Sequence, residues 1–212
     1  DFKVKIFGDE RRDKKKIAFL RMIGGKEMKL RIDANNLWDD AIKAASSLKK
    51  IGYKFSGIEE PITANQYQAL SEMSKKLNIS IILDESFLRM NQFQSLESNP
   101  AKWIINVRVS KMGGLLRSLQ VCAEAQKRNM PVIIGAQVGE TSILTRAALT
   151  LANASRNNLL AQEGAFGTYL LEEDIAEPSI RFGQGGIVKA RDLTEENRYG
   201  FGLSIKKSYG FS

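Results

Sequence analysis

Short β-rich runs alternate with longer amphipathic stretches along most of the chain, and this alternation constrains the fold more than any other feature. The predicted strands are residues 2–7, 28–32, 56–59, 79–83, 103–109, 131–135 and 159–162. The predicted helices between and after them are residues 9–23, 37–51, 65–77, 91–97, 115–129 and 142–155. Repeated βα units of this kind imply parallel strands joined by right-handed crossovers.

Parallel βα units build either an open doubly wound sheet or a closed barrel. No Gly-x-Gly-x-x-Gly turn follows the first predicted strand, so the dinucleotide-binding form of the open sheet loses its main support. A complete barrel has eight units in about 250 residues, whereas this chain has seven in 212 residues. We therefore expect an α/β fold, a modified TIM barrel of the (β/α) type that lacks its first strand.

The turn-rich end of the chain predicts a separate element. We expect a barrel domain with a metal-binding catalytic site over residues 1–181 and a C-terminal tail over residues 182–212. Within the tail, residues 187–190 and 203–206 are predicted to form short strands. Because the chain begins with Asp1 and enters a strand pattern at once, we also expect that something precedes it in the native protein.

Residue usage excludes several classes of function. The chain has no histidine, which removes Ser/His and Cys/His catalytic arrangements and histidine-rich zinc sites. Its single cysteine, Cys122, excludes an intramolecular disulfide, is predicted to pack in a helix, and fits a reducing compartment, so we expect a cytoplasmic protein. No run of 18 apolar residues offers a membrane span. Any catalytic chemistry would therefore use carboxylates, lysines and a hard metal ion.

The positive charge does not indicate a nucleic-acid-binding protein. The 32 Lys and Arg residues against 24 Asp and Glu residues give a formal charge of +8. The densest basic run, residues 11–16, lies in a predicted surface helix and is typical of a solvated helix face. We expect no nucleic-acid partner and no membrane partner.

Ionisable residues follow the predicted strands at a common level. Lys3 and Lys5 share one face of the first strand, and Asp33, Glu59 and Asp84 stand at the carboxyl ends of the next three strands. Taken singly, Asp33 could be a helix cap, and the two lysines could form an exposed strand face. Their coincidence favours a site, because the carboxyl ends of barrel strands build active sites.

Three converging carboxylates repel one another unless a cation lies among them. An oxygen-only ligand set without His or Cys suits Mg²⁺, and Mn²⁺ also fits.

Five motifs in order carry a resemblance to a known family. Lys3-x-Lys5, Asp33-x-Asn35, Glu59-x-Pro61, Asp84-Glu85-Ser86 and a basic residue ahead of Lys111-x-Gly-Gly resemble the barrel domain of the enolase superfamily, in its muconate lactonizing enzyme subgroup. The resemblance covers roughly residues 2–167. It implies a preceding capping domain, which is absent here along with the first barrel strand, and a homo-oligomeric protein.

The resemblance also implies roles for individual residues. Asp33, Glu59 and Asp84 would bind Mg²⁺, Lys5 would be the base that faces the α-carbon, and Lys3 would be its electrostatic partner and a carboxylate anchor. The implied substrate is a small carboxylate, from which a proton is removed to form a metal-stabilised enediolate. Further substrate contacts are expected from Asn35, Lys111, Gln137, Glu140 and Glu163.

Two departures from the family pattern affect the expected reaction. Subgroup members place a second lysine where this chain has Arg108, whose guanidinium stays protonated and is a poor acid–base partner. The last strand carries Gln162-Glu163 in place of the Asp-x-Asp of dipeptide epimerases. We therefore expect an isomerase or lyase that performs a one-base cycloisomerisation or syn-elimination, like muconate cycloisomerase or o-succinylbenzoate synthase.

Two alternatives to this function stay open at this stage. One is a dipeptide or amino-acid racemase or epimerase of the same family. The other is a relative that binds the metal but does not turn over.

Overall fold

Strands and helices alternate in the computed structural model, which describes residues 2–25, 27–188 and 200–209. The parallel strands are β1 (Phe2–Lys5), β2 (Leu30–Asp33), β3 (Gly57–Glu59), β4 (Ile81–Leu83), β5 (Trp103–Val107), β6 (Val132–Ile134) and β7 (Leu159–Gln162). The helices are α1 (Glu10–Gly24), α2 (Ala41–Ile51), α3 (Tyr67–Leu77), α4 (Leu115–Lys127), α5 (Ser142–Ala154) and α6 (Gly167–Leu170). Two short strands, β8 (Ala176–Glu177) and β9 (Ser204–Ile205), pair in an antiparallel manner.

Aspartate caps decide where the first two helices begin. The carboxylate of Asp9 accepts a 3.0 Å hydrogen bond from the backbone N–H of Arg12, so α1 begins at Glu10. Asp40 accepts from the N–H groups of Ile42 and Lys43 at 2.8 Å each. For this reason α2 begins at Ala41 rather than at residue 37, where the apolar spacing predicts its start.

The chain forms two compact units. The first comprises residues 1–106 and 127–131, and the second comprises residues 107–126 and 132–212. This division does not test the predicted boundary between residues 181 and 182, which stays a prediction.

In the first unit, β1 to β5 follow one another in chain order with parallel pairing. The core side chains Ile32, Ile58 and Ile82 on these strands are completely buried. Strands that are covered on both faces have nearly continuous apolar sequences. This explains why the apolar run of residues 79–83 predicts a strand.

In the second unit, β6 and β7 pair in parallel, and a buried aspartate holds the segment after α6. Asp174 accepts hydrogen bonds from the backbone N–H of Ser142 at 2.9 Å, its hydroxyl at 2.6 Å and the N–H of Ala176 at 3.0 Å. Ser142 is the first residue of α5, and the backbone N–H groups at a helix N-terminus have no partner within the helix. The Asp174 carboxylate therefore also satisfies one of these donors.

The first strand is shorter than predicted. It ends at Lys5 instead of residue 7, because the N–H groups of Phe7 and Gly8 turn to the buried carboxylate of Asp13, at 3.0 Å each. The basic run of residues 11–16 lies in α1 with its basic side chains largely outside the core, as predicted. Cys122 is buried in α4, also as predicted.

The tail prediction is confirmed in one of its two strands. Residues 203–206 contain β9, whereas the strand predicted at 187–190 extends beyond the described residues, which include only Ile187 and Val188 of that range. Val188 forms a bridge with Phe182. No helix in the described parts of the chain is both long and apolar enough to cross a membrane.

Candidate active site

Strand register places two lysines and two carboxylates on one face of the first unit. Lys5 is paired with Asp33, and Asp33 is paired with Glu59. Side chains of directly paired residues point to the same face of a sheet, and Lys3 shares that face because strand side chains alternate with a period of two. The four side chains therefore belong to a single surface at the carboxyl ends of β1 to β3.

The same surface continues onto β4 and β5. Ile82 is paired with Glu59 and with Ile104. Asp84 and Asn106 lie two residues beyond these partners, so the alternation directs them to the face that Glu59 occupies, one pleat further along. Register thus assigns Asp33, Glu59 and Asp84 to one face, and it assigns Asn106, which sequence analysis missed, to the same face.

A charged contact in this surface joins Lys3 to Glu59. The ammonium nitrogen Nζ of Lys3 lies 3.1 Å from Oε2 of Glu59 and 4.0 Å from Oδ2 of Asp33. The amide Nδ2 of Asn106 donates to Oε1 of Glu59 at 2.8 Å. Each oxygen of Glu59 therefore has a donor, which keeps the carboxylate in one orientation.

Burial separates the roles of the two lysines. The residues Asp33, Glu59 and Asp84 are only 5%, 2% and 5% exposed. Lys3 is half-buried against them, whereas Lys5 is exposed at the end of β1. Lys3 is thus in contact with the carboxylates, whereas the side chain of Lys5 is accessible to solvent.

Burial raises the pKa of Asp33 above its ordinary value. The charge of Lys3 and a 3.2 Å hydrogen bond from the N–H of Asn35 act in the opposite direction. A carboxyl group in this position gains from any further positive charge, because burial disfavours its ionised form.

The donor set fits a hard divalent cation. The three candidate ligands are carboxylates, and oxygen ligands of this kind suit Mg²⁺ and Mn²⁺. Within residues 2–25, 27–188 and 200–209, no three Asp, Glu, Cys or His side chains stand close enough to enclose a metal. The three carboxylates therefore share a face, but the convergence on one point that the sequence analysis expects is not present in this arrangement.

A second glutamate, Glu60, is completely buried directly after Glu59. Its Oε1 accepts hydrogen bonds from the backbone N–H groups of Asp84 and Ser86, and its Oε2 accepts from the hydroxyl of Ser86, all at 2.7 Å. Burial raises the pKa of Glu60, and the hydrogen bonds from Ser86 oppose that effect. In the sequence, the Glu-Glu pair before Pro61 was the only signal of this arrangement.

A second set of predicted residues meets in the second unit. Nη1 of Arg108 donates to Oε1 of Gln137 at 3.1 Å, and Nε2 of Gln137 lies 3.1 Å from the hydroxyl of Ser110. Glu140 accepts from the N–H of Gln137 and from the hydroxyl of Thr145, at 3.0 Å each. Arg108, Gln137 and Glu140 are therefore connected as neighbours.

Burial raises the pKa of Glu140, and its two hydrogen bonds oppose that effect. Both oxygens of the Glu140 carboxylate accept hydrogen bonds from the protein itself, and one of these bonds holds the loop that contains Gln137. The other predicted substrate contacts are less enclosed: Lys111 and Glu163 are half-buried, and Asn35 is exposed with a left-handed backbone.

Comparison with known proteins gives one family. The family model described as "Enolase C-terminal domain-like" matches residues 1–209. The L-Ala-D/L-Glu epimerase of Clostridium acetobutylicum is 30% identical over 156 residues, which are 73% of this chain and 43% of that protein. The chain spans about half the length of the curated relatives it matches.

Solved structures agree with the sequence matches. The dipeptide epimerase from Cytophaga hutchinsonii, solved with Mg and the dipeptide D-Ala-L-Val, superposes with a TM-score of 0.82 at 27% identity and covers 98% of this chain and 54% of its own. Muconate cycloisomerase from Pseudomonas fluorescens gives a TM-score of 0.77 at 25% identity, covering 96% of this chain and 55% of its own. The predicted barrel class and superfamily are thereby confirmed.

Proposed function

The chain belongs to the enolase C-terminal domain-like family, and on that premise we propose that it carries the proton-abstracting part of a dipeptide or N-acylamino-acid epimerase. The similarity to dipeptide epimerases favours this reaction over the cycloisomerisation or elimination that the sequence analysis put first. Because the relatives are about twice as long as this chain, the activity of the whole protein is part of the proposal.

One observation carries the proposal: Lys3, Lys5, Asp33 and Glu59 share a face, with Lys3 Nζ only 3.1 Å from Glu59. A proton next to a carboxylate is weakly acidic, so its removal needs both a base and stabilisation of the negative charge that develops. When bound by Asp33, Glu59 and Asp84, Mg²⁺ would supply that stabilisation as a Lewis acid.

The two lysines divide the remaining work. Lys5 is exposed at the end of β1 and is paired with Asp33, so we assign it as the base that takes the α-proton from a substrate approaching from solvent. Lys3, held between Glu59 and Asp33, keeps positive charge close to the substrate carboxylate and to Lys5.

Arg108 limits how the proton returns. Because a guanidinium stays protonated, Arg108 does not exchange protons as a lysine does. Epimerisation inverts the α-carbon and needs a proton donor on the opposite side. We therefore expect that exchange of the α-proton with retention is faster than inversion, and that Arg108, fixed by Gln137, acts as a stationary cation.

A one-base cycloisomerisation is the second candidate, since Arg108 suits it and muconate cycloisomerase shares the fold. Both candidates include a proton transfer at the carbon next to a carboxylate: the proton is removed in epimerisation and is delivered after ring closure in cycloisomerisation. They differ in substrate, a dipeptide in the first case and an unsaturated dicarboxylate in the second.

Deuterium wash-in tests the proposal. The full-length protein with Mg²⁺ is incubated in D₂O with a panel of dipeptides, N-succinyl amino acids and muconate, and ¹H NMR follows the α-proton and the products. We expect Mg²⁺-dependent exchange into a dipeptide or N-acylamino acid, its loss in Lys5→Ala, and faster inversion in Arg108→Lys. Turnover of muconate alone would favour the second candidate, and absence of exchange across the panel would contradict both.

A further inference from the structure

We propose that Glu60 is a positioning residue that fixes the loop bearing Asp84 and thereby sets the affinity of the site for its divalent cation. The proposal rests on the proposed function, because Asp84 is a ligand only within that function. Glu59 and Glu60 are consecutive, yet they have separate tasks: the first faces the candidate site, and the second binds the loop that follows β4.

Among the residues that the structure describes, the donors to the Glu60 carboxylate all come from this loop. The N–H groups of Asp84 and Ser86 and the hydroxyl of Ser86 all donate to it at 2.7 Å. A buried carboxylate that accepts several short hydrogen bonds holds its donors strongly, because unpaired donors in the interior are costly. The backbone of Asp84, and with it the direction of its side chain, is therefore tied to Glu60.

The Glu60 backbone is itself held from two sides, by β4 and by the turn that follows β2. Its N–H donates to the carbonyl of Ile82 at 3.2 Å, and its carbonyl accepts from the N–H of Asn36 at 2.7 Å. Its φ angle of +38° is in the left-handed region that residues other than glycine seldom adopt. Such a conformation persists where the surroundings impose it, and it is often found at functional sites.

Contacts from the start of α3 support the same loop on its other side. The hydroxyl of Ser86 accepts a 3.0 Å hydrogen bond from the N–H of Asn65, and the hydroxyl of Tyr67 donates to the carbonyl of Ser86. Ser86 is thus held between Glu60 and these two residues. Glu60 is the contact that also reaches Asp84.

The expected effect follows from the way metal ligands depend on the groups behind them. Removal of a group that orients a ligand commonly lowers metal affinity by about 10- to 100-fold. We expect Glu60→Ala to raise the Mg²⁺ dissociation constant by roughly this factor. Glu60→Gln should lose less, because one amide oxygen can still accept both backbone N–H groups.

Asp174 offers a matched control. It is also buried, and it also accepts two backbone N–H bonds and one serine hydroxyl bond, but from Ser142 and Ala176 in the second unit. Asp174→Ala therefore removes an equivalent set of hydrogen bonds without touching the loop after β4. It should reduce stability while leaving the Mg²⁺ dissociation constant unchanged.

The experiment measures two quantities on the full-length protein. Isothermal titration with Mg²⁺ gives the dissociation constant of wild type and the three variants. Hydrogen exchange without metal gives the protection of the Asp84 and Ser86 amides, which should fall in Glu60→Ala and persist in Asp174→Ala. This second readout needs no catalysis and no bound metal.

The outcomes separate this role from the proposed function. A folded Glu60→Ala variant that binds Mg²⁺ as tightly as wild type, or that keeps the Asp84 and Ser86 protection, overturns the positioning role. Wild-type protein without saturable Mg²⁺ binding contradicts the proposed function and the affinity role together. Should Glu60→Ala fail to fold, exchange of the Asp84 and Ser86 amides in the metal-free wild type as fast as that of exposed loop amides overturns the positioning role.

Discussion

The amide nitrogen of Asn106 lies 2.8 Å from Oε1 of Glu59, while the ammonium of Lys3 lies 3.1 Å from Oε2 of the same carboxylate. Three separate strands, β1, β3 and β5, thus meet at a single buried side chain. Glu59 is oriented before any substrate arrives, and the charge of Lys3 offsets the cost of burying it.

Replacement of Asn106 by Leu should destabilise the first unit. The substitution removes a donor to a buried carboxylate, and such losses commonly reduce the free energy of unfolding by about 1–3 kcal/mol. Urea denaturation of wild type and of the variant measures this loss in the free energy of unfolding. Asn153→Leu is the control, because Asn153 is exposed and its bond to Arg156 lies at the surface. Equal stability of the two variants would contradict the orienting role of Asn106.

Acid should weaken the cap of α2. Hydrogen bonds from the N–H groups of Lys43 and Ile42 lower the pKa of Asp40 below its ordinary value of 3.8. A group with a lowered folded-state pKa contributes stability above its unfolded pKa and loses it as the pH falls through the folded pKa. Wild type should therefore be more stable than Asp40→Ala at neutral pH, and this difference in stability should decrease below about pH 3.8.

Two variants separate the cap from its charge. Asp40→Asn keeps an oxygen acceptor that does not titrate, so its advantage over Asp40→Ala should persist in acid. Asp39→Ala should change little, because the side chain of Asp39 is almost fully exposed. The measurement is the unfolding midpoint against pH. If the difference in unfolding midpoint between wild type and Asp40→Ala does not change with pH, ionisation of Asp40 does not contribute to the stability of the cap.

The single thiol should be unreactive in the folded protein. Cys122 is buried in α4, and burial raises the pKa of its thiol while a hydrogen bond with Ser155 opposes that effect. Reaction with Ellman's reagent needs an exposed thiolate, so labelling should be slow in buffer and complete in concentrated guanidinium chloride. Fast stoichiometric labelling of the native protein at neutral pH would place the thiol at the surface.

The sequence predicted the elements of the barrel because its signals are local. Residues 81–83 form a strand as the apolar run around Ile81 indicated, and Asp33, Glu59 and Asp84 share a face because each follows such a run at its strand end. Periodicity and position alone are sufficient for this inference.

The missed residues depend on contacts between distant parts of the chain. Asn106 meets Glu59 across 47 positions, and Glu60 meets Asp84 and Ser86 across 24 and 26 positions. Nothing near Asn106 in the sequence marks it as the partner of a buried carboxylate. β1 ends earlier than predicted for a similar reason. The carboxylate of Asp13 in the following helix accepts hydrogen bonds from the backbone N–H groups of Phe7 and Gly8.

Anomalous diffraction from Mn²⁺ tests the central claim most directly. Crystals of the full-length protein, and of Asp84→Asn as the control, are soaked in Mn²⁺ and measured at the manganese absorption edge. We predict one strong peak in wild type, with carboxylate oxygens of Asp33, Glu59 and Asp84 about 2.1 Å from it, and a weakened peak in the variant. A peak elsewhere, or none, with these three side chains pointing apart would contradict the account.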